Sequence, residues 1–116
     1  MKRDMDLIRE LLMWMEDQPA GYVGKVPDFP GRSSDEVGYH FHLMMQAGLI
    51  DGMPIRSLSL SSPMVRPTAL TYAGHDFIEH ARNDTRWNRA KQVIIETGRS
   101  MTVESLMLAL KALAGG

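Results

Sequence analysis

A mainly α-helical fold with a small β-hairpin is what this 116-residue sequence predicts, and three observations carry the prediction. The stretch Ser33 to Ile50 reads S-S-D-E-V-G-Y-H-F-H-L-M-M-Q-A-G-L-I, with Val37, Phe41, Met44 and Ala47 at helical spacing on one apolar face. Gly48 then stands where a helix closes in the left-handed conformation, and Leu49 and Ile50 can fold back on the last turn. A polar, Ser-rich segment follows and runs into Ala69-Leu70-Thr71-Tyr72-Ala73-Gly74-His75, an L-T-x-x-G turn that opens another helix. Apolar residues recur every three or four positions near both ends of the chain. Helix, hairpin, turn and helix in this order make a winged-helix-like domain, here with additional C-terminal helices.

The first helix spans about Asp4 to Asp17. Met5, Ile8, Leu12 and Met15 form its stripe, widened by Leu11 and Trp14, and Asp4 caps its start. Pro19-Ala20-Gly21 ends it. Tyr22 to Val26 reads as a short edge strand, and Pro27 and Pro30 exclude a helix where a full helix-turn-helix would place one. The core helix, about 34–47, is capped by Ser34 or Asp35 and turns Tyr39, His42, Met45 and Gln46 outward. The hairpin, about 55–71, has strands at Ile55 to Leu60 and Val65 to Thr71, with Ser61-Ser62-Pro63-Met64 as its turn and Pro67 confining the second strand to an edge.

A further helix runs from Gly74 to Asn83 with Phe77, Ile78 and Ala81 inward. Asp84 or Thr85 caps the next, on which Trp87, Ala90, Val93 and Ile94 form the apolar stripe. Thr97-Gly98 stops it. Thr102 caps the terminal helix, with Met101 and Leu106 placed as a hydrophobic staple. Val103, Leu106, Leu110 and Leu113 follow a/d spacing, so this helix must dock on the domain or on a second copy. The chain therefore divides into a winged-helix-like domain, 1–99, and a C-terminal docking or dimerisation helix, 100–116.

Composition excludes several classes of function. The net charge of −1 gives no global drive towards nucleic acid. Without cysteine there is no disulfide framework, zinc ribbon or thiol catalysis. No apolar run approaches the roughly 18–20 residues that cross a bilayer, and no signal peptide is visible, so a cytoplasmic protein without a membrane partner is expected. Ten methionines fit adaptable core filling better than a plastic partner surface.

No catalytic residue, cofactor site or metal site stands out, and the chain reads as no enzyme. His40 and His42 are two apart and His75 and His80 five apart, so neither pair has the i, i+4 spacing of helical metal ligands. His40 reads as a partly buried, hydrogen-bonded histidine. No Gly-x-Ser-x-Gly turn supports a serine nucleophile. Candidate nucleic-acid contacts are Arg56, Ser59 and Arg66 on the hairpin, with Arg86, Arg89 and Lys91 in the most basic region. Candidate protein-interface residues are Tyr39, His42 and Met45 on the core helix and Leu106, Leu110 and Leu113 on the terminal helix.

Three segments together resemble a known family. They are Met1-Lys2-Arg3-Asp4-Met5-Asp6-Leu7-Ile8-Arg9; Tyr39-His40 with Leu43 and Gln46-Ala47-Gly48-Leu49-Ile50; and Leu70-Thr71-Tyr72-Ala73-Gly74-His75-Asp76-Phe77, continuing through Arg82-Asn83-Asp84-Thr85 to Trp87-Asn88. In order and spacing they are similar to the short phage- and prophage-associated proteins grouped as domain of unknown function 2513. The resemblance implies a winged-helix-like fold and a phage or mobile-element setting, and it carries over no site residues. Two functions follow as expectations. The leading one is a DNA-associated transcriptional regulator, supported by element order and the arginines. The other is a protein-interaction module that does not bind DNA, supported by near-neutral charge and a core helix without Lys or Arg. A homodimer through the terminal helix belongs with the second.

Overall fold

The computed structural model describes residues 1–19, 28–56 and 62–115. Among these the element order is α1 (Met5–Glu16), α2 (Ser34–Gln46), β1 (Ile50–Ile55), β2 (Met64–Leu70), α3 (Tyr72–Ala81), α4 (Asp84–Glu96) and α5 (Val103–Gly115). The chain is mainly α with one antiparallel hairpin. Two compact units make up the chain, Met1–His75 and Asp76–Gly116, with the boundary inside α3. Helix α5 packs on α4 within the second unit. No described helix is long and apolar enough to cross a membrane.

In the first unit, Asp4 caps α1 as expected. Its Oδ1 accepts from the N–H groups of Asp6 (3.0 Å) and Leu7 (3.2 Å), which satisfies donors that a helix start leaves open. Met5, Leu7, Ile8, Leu11 and Leu12 are buried. The expected strand Tyr22 to Val26 lies outside the described residues. Phe29-Pro30-Gly31-Arg32 makes a tight turn closed by the Arg32 N–H on the Phe29 carbonyl (3.0 Å), with Gly31 at φ +80°. Proline and then glycine suit the second and third positions of such a turn.

This turn delivers Ser33, one residue earlier than expected, as the cap of α2. Its Oγ accepts from the Glu36 N–H at 3.1 Å, so Ser34 and Asp35 are already inside the helix. Val37, Phe41 and Met44 are fully buried, whereas Ala47, the C-cap, is exposed. Gly48 at φ +77° closes the helix. The Leu49 N–H reaches the Met44 carbonyl and the Gly48 N–H reaches the Met45 carbonyl, both at 3.0 Å, the paired bonds of a Schellman motif.

Because this cap turns the chain straight back under the helix, β1 begins at Ile50, five residues before the expected Ile55. The rest of the expected first strand, Ser57 to Leu60, lies outside the described residues. The register runs from Ile50↔Leu70 to Ile55↔Met64 and slips between Asp51↔Ala69 and Gly52↔Pro67, which leaves Thr68 as the extra residue of a bulge. Among the described residues the sheet has two strands, both of them edges, so Pro54 and Pro67 are tolerated.

In the second unit, Phe77, Ile78 and Ala81 at the end of α3 are buried. Asn83, not Asp84 or Thr85, caps α4 through an Oδ1 that accepts from the Arg86 N–H at 2.9 Å. Trp87, Ala90 and Ile94 are buried, and Trp87 meets Phe77 edge to face at 6.1 Å. Val93 is 41% exposed instead of buried, since at 100° per residue it stands off the centre of the stripe set by positions 87, 90 and 94. Gly98 at φ +70° closes α4 with a second Schellman pair. Thr102 caps α5 reciprocally with Ser105, each hydroxyl accepting the other's N–H at 3.0–3.1 Å. Serine here plays the part usually taken by Glu or Gln.

Candidate functional site

The residues that set this sequence apart meet in a joint within the first unit. Thr71 precedes α3 and does three things. Its Oγ1 accepts from the Gly74 N–H (3.1 Å), which caps the helix and starts it at Tyr72, two residues before the expected Gly74. Its hydroxyl donates to the Gly48 carbonyl (2.6 Å), and its own N–H donates to the Leu49 carbonyl (3.1 Å). Gly74 is buried with its Cα against that same Leu49 carbonyl, and a side chain there would run into it. The A-G-L-I ending and the L-T-x-x-G turn are thus the two halves of one contact.

A second polar cluster ties the start of α1 to the start of α2. Arg32 Nη1 lies 2.7 Å from Asp4 Oδ2 and 3.3 Å from Glu36 Oε2. Partial burial works to raise the Asp4 carboxyl, but the Arg32 hydrogen bond, the Leu7 N–H, the Arg32 charge and the Asp6 N–H outweigh it and hold it below the usual carboxylate range. The Asp4 hydrogen bond correspondingly holds Arg32 in its charged form. His40, fully buried, completes the cluster. The Asp4 N–H lies 2.9 Å from its Nε2, and its Nδ1 lies 2.8 Å from the Glu36 carbonyl. An amide can only donate and a carbonyl only accept, so these partners fix a neutral imidazole with its proton on Nδ1. His40 is a structural, hydrogen-bonded histidine, more deeply buried than its sequence reading.

Between the C-terminal end of α1, β2 and the start of α3, the same unit holds a cavity of about 350 Å³. Trp14, Met15, Glu16, Gln18 and Pro19 line one side, and Pro67, Thr68, Ala69, Leu70 and His75 the other. Trp14 is braced by Phe29 edge to face at 6.4 Å and by Phe41 at 6.3 Å. The Gln18 side-chain amide donates to the Trp14 carbonyl at 3.0 Å. Tyr72, 90% exposed, is the one fully outward aromatic among the described residues, and it shares a face of α3 with His75, three residues on. The sequence reading singled out neither the cavity nor Tyr72. A clue to it was the position of Tyr72 just after the Thr71 cap, where a helix has not yet turned its apolar face inward.

The expected site residues are divided between the two units. Arg56, at the end of β1, and Arg66, on β2, are both exposed in the first unit. Ser59 lies outside the described residues. Arg86 and Arg89 are exposed on α4 in the second unit, and Lys91 extends its ammonium to 5.9 Å from the Trp87 ring. Tyr39, His42 and Met45 are half-buried rather than open, and the Tyr39 ring lies 5.9 Å from that of His42. Leu106 and Leu110 are fully buried in a single copy, so that part of the expected interface is already used within the chain, while Leu113 is half-buried. No group of three His, Asp or Glu side chains among the described residues converges to hold a metal ion.

Comparison with known proteins adds the following. A family model described as "Hypothetical protein (DUF2513)" matches residues 2–100. A protein of Haemophilus influenzae described as "Uncharacterized protein" is 37% identical over 107 residues, spanning 91% of this chain and 89% of that one. No solved structure gives a significant match.

Proposed function

The chain belongs to the domain of unknown function 2513 family, and from that premise we propose that it is a non-enzymatic, winged-helix-type binding module whose partner is a protein. The observation that carries this reading is the cavity, one of whose lining residues, His75, shares a face of α3 with the exposed Tyr72. A concave, partly apolar site suits an anchor residue of a partner, and an exposed aromatic such as Tyr72 is a residue type enriched at interfaces. Helix α2 points in the same direction. Its first turn is acidic, it carries no Lys or Arg, and the nearby Arg32 is engaged by Asp4 and Glu36. A helix that reads the major groove needs cations or amides towards phosphates and base edges, and Gln46 is the one exposed residue here of that kind. In this reading the module works in the cytoplasm, in a phage or mobile-element setting.

A second reading, a DNA-associated transcriptional regulator, is favoured by Arg56 and Arg66 on the hairpin and by Arg86 and Arg89, exposed three residues apart on α4. Binding to labelled duplex DNA across a salt series separates the two. The protein reading expects no binding tighter than the non-specific range of about 10⁻⁴–10⁻⁶ M at physiological salt. Tight binding that falls steeply with salt, and collapses when Arg56, Arg66, Arg86 and Arg89 become Glu, would establish the regulator instead.

A further inference from the structure

The described lining of the cavity in the first unit favours one sign of charge. Among the described residues its lining includes one carboxylate, Glu16, one imidazole, His75, and no Lys or Arg. It opens at the C-terminal end of α1, where backbone carbonyls concentrate partial negative charge, and the last turn of that helix holds no basic residue. Asp17, the C-cap, adds to the negative potential. Trp14 forms an aromatic wall braced by two other rings, and Gln18 and Thr68 contribute neutral polar groups.

An aromatic wall, a carboxylate and the carbonyl end of a helix all favour a cation. A guanidinium can use all three at once, because it is flat enough to stack and carries five donors in a rigid fork. A carboxylate has about four acceptor sites, so Glu16 can take such a group beside the contacts it already has. A volume of about 350 Å³ is at the small end for ligand sites and suits one long side chain better than a secondary-structure element.

We propose that this cavity receives an arginine side chain presented by a partner protein. The inference rests on the protein-binding reading above and names the chemistry of its anchor. The test is a titration of the full chain with the peptide acetyl-Gly-Arg-Gly-amide, followed by NMR of the two indole N–H signals. Expected is binding in the range of about 0.1–10 mM, typical of a single anchoring side chain, which shifts the Trp14 signal and not that of Trp87. The citrulline peptide, similar in shape but uncharged, binds at least about tenfold more weakly, as does the arginine peptide to Glu16→Gln. Asp17→Asn, at an exposed position, lowers affinity about twofold and reads the same field should Glu16→Gln disturb folding. Glu104→Gln, in the other unit, changes nothing. Equal binding of the arginine and citrulline peptides, or an unmoved Trp14 signal at the highest concentration, overturns the assignment. A protein partner that cross-links at position 72 and binds Glu16→Gln as tightly as the natural chain overturns the arginine anchor but leaves the protein-binding reading standing. Salt-sensitive duplex binding without any protein partner removes both.

Discussion

The protein closes two helices with the same device and uses the two closures differently. Gly48 ends α2 and Gly98 ends α4, both with positive φ and both with the paired backbone bonds of a Schellman motif. After Gly48 comes Leu49, buried, whose carbonyl receives the Thr71 N–H and lies against Gly74. After Gly98 comes Arg99, exposed. Local geometry is therefore the same, and the residue that follows decides whether a cap is only a stop or also a joint. An apolar residue there draws the chain back into the core, where its backbone becomes a docking site for the next element. A charged one lets the chain leave into solvent.

A graded set of substitutions tests how far the two closures are alike. Gly74→Ala has the largest expected effect, because its methyl must displace the Leu49 backbone rather than the end of a flexible side chain. A loss of about 2–3 kcal/mol is expected in urea unfolding, although alanine favours a helix. A stabilised variant would mean that the joint is loose. Next come Gly48→Ala and Gly98→Ala. Both sites have open space for a methyl, so each should lose about 1–2 kcal/mol from left-handed strain alone. Equal losses support the identity of the two caps. A much greater loss at Gly48 would show that strain there spreads through Thr71.

Thr71→Val keeps the shape of the side chain and removes the cap and the hydroxyl bond to Gly48, for about 1–2 kcal/mol. Thr102→Val, at a cap that pairs only with its own helix start, should cost about 1 kcal/mol. The smallest effect concerns pH. The folded Asp4 carboxyl titrates below its unfolded value of about 3.9, so its contribution is present above that pH and is lost as pH falls through the lowered folded value. Arg32→Gln removes the strongest lowering interaction and should flatten the acid limb of a pH–stability curve measured between about pH 5 and 2. An unchanged limb would show that Asp4 is held by its capping N–H groups alone.

Much of this architecture is legible in the residues themselves. Asp4, Gly48, Gly98 and Thr102 act at the positions their chemistry suggests, because a cap depends on neighbours within a few residues. The stripes at Met5, Ile8 and Leu12 and at Leu106 and Leu110 are buried for the same local reason. The starts of α2, α3 and α4 shifted by a residue or two because adjacent Ser, Thr, Asn and Asp residues compete for one cap, and the tertiary turn chooses among them. Strand β1 was placed too late because Asp51, Gly52 and Pro54 are poor strand formers in isolation, and its position is set by Ile50 being pulled into the core. The cavity was invisible for a stronger reason. Trp14 and Leu70 are 56 positions apart, and nothing in either segment signals the other.

The hydrogen bonds of His40 also have a consequence for its reactivity. With Nε2 occupied by the Asp4 N–H and Nδ1 holding its proton against the Glu36 carbonyl, neither nitrogen has a free lone pair for an electrophile. Of the four histidines, His75 is exposed and His42 and His80 are half-buried, whereas His40 is sealed. An acylating reagent such as diethyl pyrocarbonate therefore reaches His40 only when the start of α1 lifts away from α2. The time course of that one modification is a clock for the opening of the first unit.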